Sequence, residues 1–106
     1  MVTLAERHRR KMERMERAIV EIDARLIAYA HEHGGRFIRY GSTAQGRMRQ
    51  HSDVDIIADF GDPDATQDAA NYAETICAEL RMKPDVRYCV SPAFLTAVIE
   101  HGIVLE

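Results

Sequence analysis

Apolar residues recur at Met12, Met15, Ile19, Ile22, Leu26 and Tyr29, with spacings that alternate between three and four. That is one stripe along an α-helix. Thr3 stands three residues before Glu6 in the form of a capping box, and Gly34-Gly35 supplies a stop. The pattern predicts a single helix over residues 1–33. A helix from Thr3 to His33 is about 45 Å long at 1.5 Å per residue. A domain of this size has a radius of gyration of only about 13 Å. The stripe is therefore expected to outrun its own core, with part of the helix projecting or lying on another chain. After the glycines the period changes. Arg36 to Tyr40 reads as a short strand, Gly41-Ser42 breaks it, and Thr43 to Met48 reads as a helical turn. Val54 to Asp59 is a second strand with Val54, Ile56 and Ala58 on one face. Gly61-Asp62-Pro63 turns the chain into a helix over 64–81, with Ala65, Ala69, Ala73, Ile76 and Leu80 inward. Pro84 ends that unit and a third strand follows over 85–90. Ser91-Pro92 opens a short helix that buries Phe94, Leu95, Val98 and Ile99. Gly102 closes it before an edge strand at Ile103 to Leu105. The order predicts an α/β (α+β) domain, a small mixed sheet with helices packed on it, spanning 1–106 with its core in 36–106.

A length of 106 residues suits one domain. With 46% hydrophobic and 29% charged residues, collagen-like, low-complexity and wholly disordered readings are excluded. No apolar run approaches the roughly 20 residues of a membrane span. The first residues lack the apolar region of a secretory signal, so a cytoplasmic address is expected. Cys77 and Cys89 are too few for a disulfide framework and read as small buried residues. The five histidines show no metal-ligand spacing.

Charge adds an asymmetry. Residues 1–50 carry eleven Lys and Arg against six Asp and Glu, whereas residues 51–106 carry three against eleven. The basic run from Arg7 to Arg17 reads first as a solvated helix face and second as a contact for RNA or a protein partner. The carboxylate-rich second half suggests a cation site.

The chemistry concentrates in residues 41–57, GSTAQGRMRQHSDVDII. A strand delivers the chain to Gly41-Ser42, where a missing Cβ lets backbone N–H groups approach an anion and Ser42 adds a hydroxyl. Asp53 and Asp55 at i and i+2 of a strand project from one face. Two adjacent carboxylates repel each other unless a cation sits between them. Mg²⁺ held by one or two carboxylates and substrate phosphates is the usual arrangement in nucleotide chemistry. The combination describes a site for metal-assisted phosphoryl or nucleotidyl transfer.

These residues resemble the signature of the DNA polymerase β-like nucleotidyltransferase superfamily, and of its small branch, the minimal nucleotidyltransferases. Gly41, Ser42, Ala44, Gly46, Ser52, Asp53, Asp55 and Ile56 fall on the branch's Gly-Ser and Ser-Asp-x-Asp positions. The resemblance covers residues 36–106 and implies the nucleotidyltransferase fold. It also implies that Asp53 and Asp55 hold Mg²⁺ on a nucleoside triphosphate, and that a later carboxylate, here Asp85, is a third ligand or base. Small members are typically antitoxins paired with a HEPN-domain ribonuclease toxin, and are similar to enzymes that move AMP from ATP onto a toxin tyrosine. One position departs: Gln45 stands where an arginine is common, with Arg47 and Arg49 nearby to serve the phosphate. Two alternatives follow, a degenerate antitoxin that neutralises by binding, and transfer to a small molecule or RNA end. A homodimer through the first helix is a further expectation.

Overall fold

The computed structural model describes all residues, 1–106. Helix α1 (Leu4–His33) starts where the Glu6 backbone N–H donates to Thr3 Oγ1 at 3.1 Å. It ends at Gly34, in left-handed conformation with φ 74°, whose N–H closes on the Ala30 carbonyl at 2.8 Å. Four strands follow: β1 (Arg36–Tyr40), β2 (Val54–Asp59), β3 (Pro84–Arg87) and β4 (Ile103–Leu105), in sheet order β3-β2-β1-β4. β1 runs antiparallel to both β2 and β4, and β2 runs parallel to β3. A parallel pair needs a crossover. Helix α2 (Pro63–Glu79) provides it, capped by the Asp62 carboxylate on the Ala65 N–H at 2.9 Å. Helix α3 (Pro92–His101), capped by Ser91, connects β3 to β4. The class is α+β.

The sheet is covered unequally. On one face α1 and α2 pack Met15, Ile19, Ile22, Leu26, Ala73 and Ile76 against Phe37, Val54, Ile56, Ala58 and Leu105. On the other face only α3 sits, and its fully buried cluster is Ile38, Ile57 and Val98.

The apolar stripe of α1 from Met12 to Tyr29 is covered from within the chain, whereas the first turns project as the helix length predicts. Met15, Ile19, Ile22 and Leu26 are buried, and Met12 and Tyr29 pack against the same core. The cover comes from Met48 in the β1–β2 loop and Met82 after α2, which extend the core along the helix. Only the first turns stand clear, with Leu4 82% exposed. They give the molecule a long dimension of 52 Å.

Other boundaries also move. The turn expected at Thr43 to Met48 is a 3₁₀ turn at Gly41–Thr43. It stops early because the Arg39 guanidinium takes the Thr43 carbonyl oxygen at 2.7 Å and Gly46 enters a positive φ of 68°. β3 ends at Arg87 rather than Val90, because Cys89 sits at φ 57° and leaves the extended path. Cys89 is therefore exposed, whereas Cys77 is buried as expected. Along α3 only Val98 is fully buried; Phe94, Leu95 and Ile99 are half-covered. No helix is long and apolar enough to cross a membrane.

Candidate active site

Strand alternation decides what reaches the thinly covered face. β2 turns Val54, Ile56 and Ala58 toward α1 and α2, which leaves Asp55 and Ile57 toward α3. Parallel register sets Asp55 beside Asp85 of β3, and antiparallel register sets it beside Tyr40 of β1. Asp55, Asp85 and Tyr40 thus share one face at one end of the sheet, where β1 finishes and β2 and β3 begin. Asp53 lies one residue before β2, exposed and outside the ladder.

Gly41 follows Tyr40 with φ 73°. A Cβ built there would fall on the Asp55 carboxylate oxygen Oδ2. The glycine is thus demanded twice, by its backbone conformation and by the carboxylate beneath it. Ser42 Oγ donates to Ser52 Oγ at 3.0 Å, and Ser52 Oγ accepts from the Arg49 N–H at 2.7 Å. The two serines staple the β1–β2 loop across its neck. Arg47, also in this loop, has its N–H bonded to the Ser42 carbonyl at 3.0 Å and an exposed side chain.

The electrostatics follow from burial first and from crowding second. Asp55 is pushed from 3.8 up to about 6, first by burial, then by hydrogen bonding to Asp85 and by the charges of Asp85 and Asp53, with Arg87 opposing. Arg87 lies 3.8 Å from the Asp85 carboxylate. The arrangement stores repulsion that a divalent cation would relieve.

Asp53, Asp55 and Asp85 come to the same sheet end, but no three His, Cys, Asp or Glu side chains stand as a ready-made metal cage. Mg²⁺ does not demand one, since it keeps several waters and takes one or two carboxylates together with substrate phosphates. Asp55 and Asp85, under a turn that excludes a Cβ, fit that donor chemistry.

Three features escape the motif. Arg39 is a buried cation, 4% exposed, gripping Asp23 of α1 through Nε at 2.8 Å and Nη2 at 2.7 Å. Its Nη1 holds the Thr43 carbonyl, so one guanidinium ties α1, β1 and the glycine turn together. Tyr40 has a buried hydroxyl without a hydrogen-bond partner, and its ring meets Phe94 edge-on at 6.1 Å. Burial raises the Tyr40 pKa, Arg87 opposes, and Asp55 and Asp85 add to the rise. Arg87 is the third. The signal for Tyr40 and Arg87 was parity with Asp55 across the sheet, visible only once the register is known.

No family model, curated protein or solved structure matches this chain. The functional reading rests on the residues themselves.

Proposed function

We propose that this chain has the nucleotidyltransferase fold and transfers AMP from ATP to a hydroxyl on a partner protein, in a Mg²⁺-dependent reaction. The observation that carries the reading is the cross-strand pair Asp55 and Asp85 beneath Gly41, with Asp55 shifted to about 6. Bound Mg²⁺ would neutralise charge on the triphosphate and its pyrophosphate leaving group. Asp53 and Asp55, with Asp85, are the residues that would hold it. The turn at Gly41 and Ser42 and the free side chain of Arg47 would receive phosphate oxygens. Asp85 would accept the proton of the attacking hydroxyl as its oxygen bonds to the α-phosphorus and pyrophosphate departs.

The resemblance extends the proposal to biology: the acceptor would be a tyrosine of a HEPN-domain toxin, and the chain its antitoxin, acting in the cytoplasm. The exposed first turns of α1 offer that partner, or a second copy, a place to dock. Gln45 favours a second reading, in which the chain neutralises its partner by binding alone.

The test is incubation with Mg²⁺, ATP labelled at the α-phosphate and the protein encoded next to this one. Label on the partner, lost in Asp55→Asn, is the expected result. A partner that binds without acquiring label supports the second reading. Absence of both binding and label overturns the antitoxin proposal.

A further inference from the structure

Beside the carboxylate end of the sheet, on the α1 side, lies a cleft of about 160 Å³ with the opposite electrostatics. Lys11 and Arg14 line it from α1, His51 and Ser52 from the β1–β2 loop, and Arg81 and Lys83 from the α2–β3 turn. No carboxylate lines it. Lys11, Arg14, Arg81 and Lys83 make no ion pair. The cleft on the far side of Arg14 differs in holding Glu21 and Glu79 among its arginines.

One of the four cations is held in place by the backbone, and a second stands on a left-handed residue. The Arg14 guanidinium donates to the Leu80 carbonyl at 3.2 Å, pinned over the end of α2. Arg81 sits at φ 57°, at the position after a helix where glycine is favoured. Its N–H bonds to the Ala78 carbonyl and the Met82 N–H to the Cys77 carbonyl, so the left-handed turn is built in. Arginine at this position carries backbone strain that glycine would avoid. The cleft also has an extension. Arg7, Lys11 and Arg14 fall at i, i+4 and i+7 of α1, a row about 10 Å long that leads out along the exposed first turns.

We propose that this cleft and its helical row bind the phosphate backbone of a nucleic acid. Converging, unpaired nitrogen donors without carboxylates suit phosphate oxygens. A docked acidic protein fits less well. Protein interfaces are centred on apolar and aromatic anchors with charge at the rim, and here the charge is central and no aromatic residue lines the cleft. The proposal is independent of nucleotidyl transfer.

The test is titration of the intact protein into a fluorescein-labelled 12-nucleotide RNA at several salt concentrations. An acidic polyglutamate peptide and inorganic tripolyphosphate serve as competitors. The RNA should bind at least tenfold more tightly than either competitor. Lys11→Gln with Lys83→Gln should weaken RNA binding tenfold or more and reduce the slope of log K against log salt by about 0.7 for each charge removed. Arg81→Gly should weaken binding while leaving Tm unchanged or higher, because glycine suits the backbone there. A merely structural arginine would not separate the two readouts. Asp55→Asn should keep RNA binding, which distinguishes this site from the carboxylate site. Equal affinity for polyglutamate or tripolyphosphate, unchanged binding in the variants, or loss of binding in Asp55→Asn would each overturn the proposal.

Discussion

The two faces of the sheet are built to different standards. Against α1 and α2 the strands bury a continuous cluster of eighteen residues, and its polar intrusion, Arg39, is fully bonded. Against α3 the strands bury three, and the same face carries Asp55, Asp85, Arg87 and an unpartnered tyrosine hydroxyl. Close packing suits cohesion and excludes charge. The α3 side still buries Asp55 enough, with Asp85 and Asp53 adding their charge, to move it to about 6. The main core and the candidate site are divided between the two sides of one four-stranded sheet.

The sharpest way to break that comparison is to make equal holes in both faces. Val54→Ala, fully buried on the thick face, should cost about 2–3 kcal/mol, the transfer of two methyl groups plus the cavity they leave. Val98→Ala, under α3, should cost about 1–2 kcal/mol, the value of two methyl groups. Urea unfolding reads both, and equal losses would remove the distinction. Next in size is Arg39→Met. It leaves Asp23 without its partner while Asp23 stays 22% exposed, so the loss should be about 2 kcal/mol, below the range for a fully buried pair. Because the same guanidinium holds Thr43, amide exchange in residues 41–44 should quicken more than in α2.

Asp55→Asn should act in the other direction. The folded protein holds a proton on Asp55 up to about pH 6, whereas an unfolded aspartate releases it near 4. Between those values the native state binds more protons, so wild-type stability should fall as pH rises from about 4 to about 6. The asparagine variant should lose that slope and melt higher than wild type at pH 7. Mg²⁺ with ATP should raise the wild-type Tm at pH 7, less so at pH 5, and not in the variant. A wild-type Tm insensitive to Mg²⁺ with ATP would count against the carboxylate site. The smallest effect concerns the two cysteines. Cys77, buried in α2 with its thiol pushed up to about 11, should resist a thiol reagent until the protein unfolds. Cys89 should react in the native state, and Cys89→Ser should change stability by less than about 0.5 kcal/mol.

Much of this was legible in local sequence. The cap at Thr3, the stop at Gly34, the limits of β1 and β2, the Pro-led start of α3 and the edge strand at Ile103 are each written in a few adjacent residues, whereas α2 begins one residue earlier and ends two earlier than its pattern suggests. So was the pairing of a glycine turn with Asp55. What failed was non-local. The cover over α1 depends on Met48 and Met82 arriving from elsewhere in the chain. The early end of the glycine turn depends on Arg39 reaching Thr43. Cys89 was misplaced because alternation alone cannot announce a left-handed residue. Asp85 became a neighbour of Asp55 only through parallel register, and the basic cleft needed three separated segments to converge.

The sheet order also says something about the sequence of folding events. β1 pairs with β2 across a short loop, but its other edge waits for β4, whose Leu105 meets Phe37 from the opposite end of the chain. Closing so large a loop carries an entropic cost that local pairings escape. The carboxylate end, made by β1, β2 and β3, can therefore assemble before the far edge of the sheet is sealed. The transition state should contain α1, β1 and β2, with β4 docking late. Substitutions at Leu105 should then speed unfolding and leave the refolding rate nearly unchanged, whereas Ile56→Val should slow refolding.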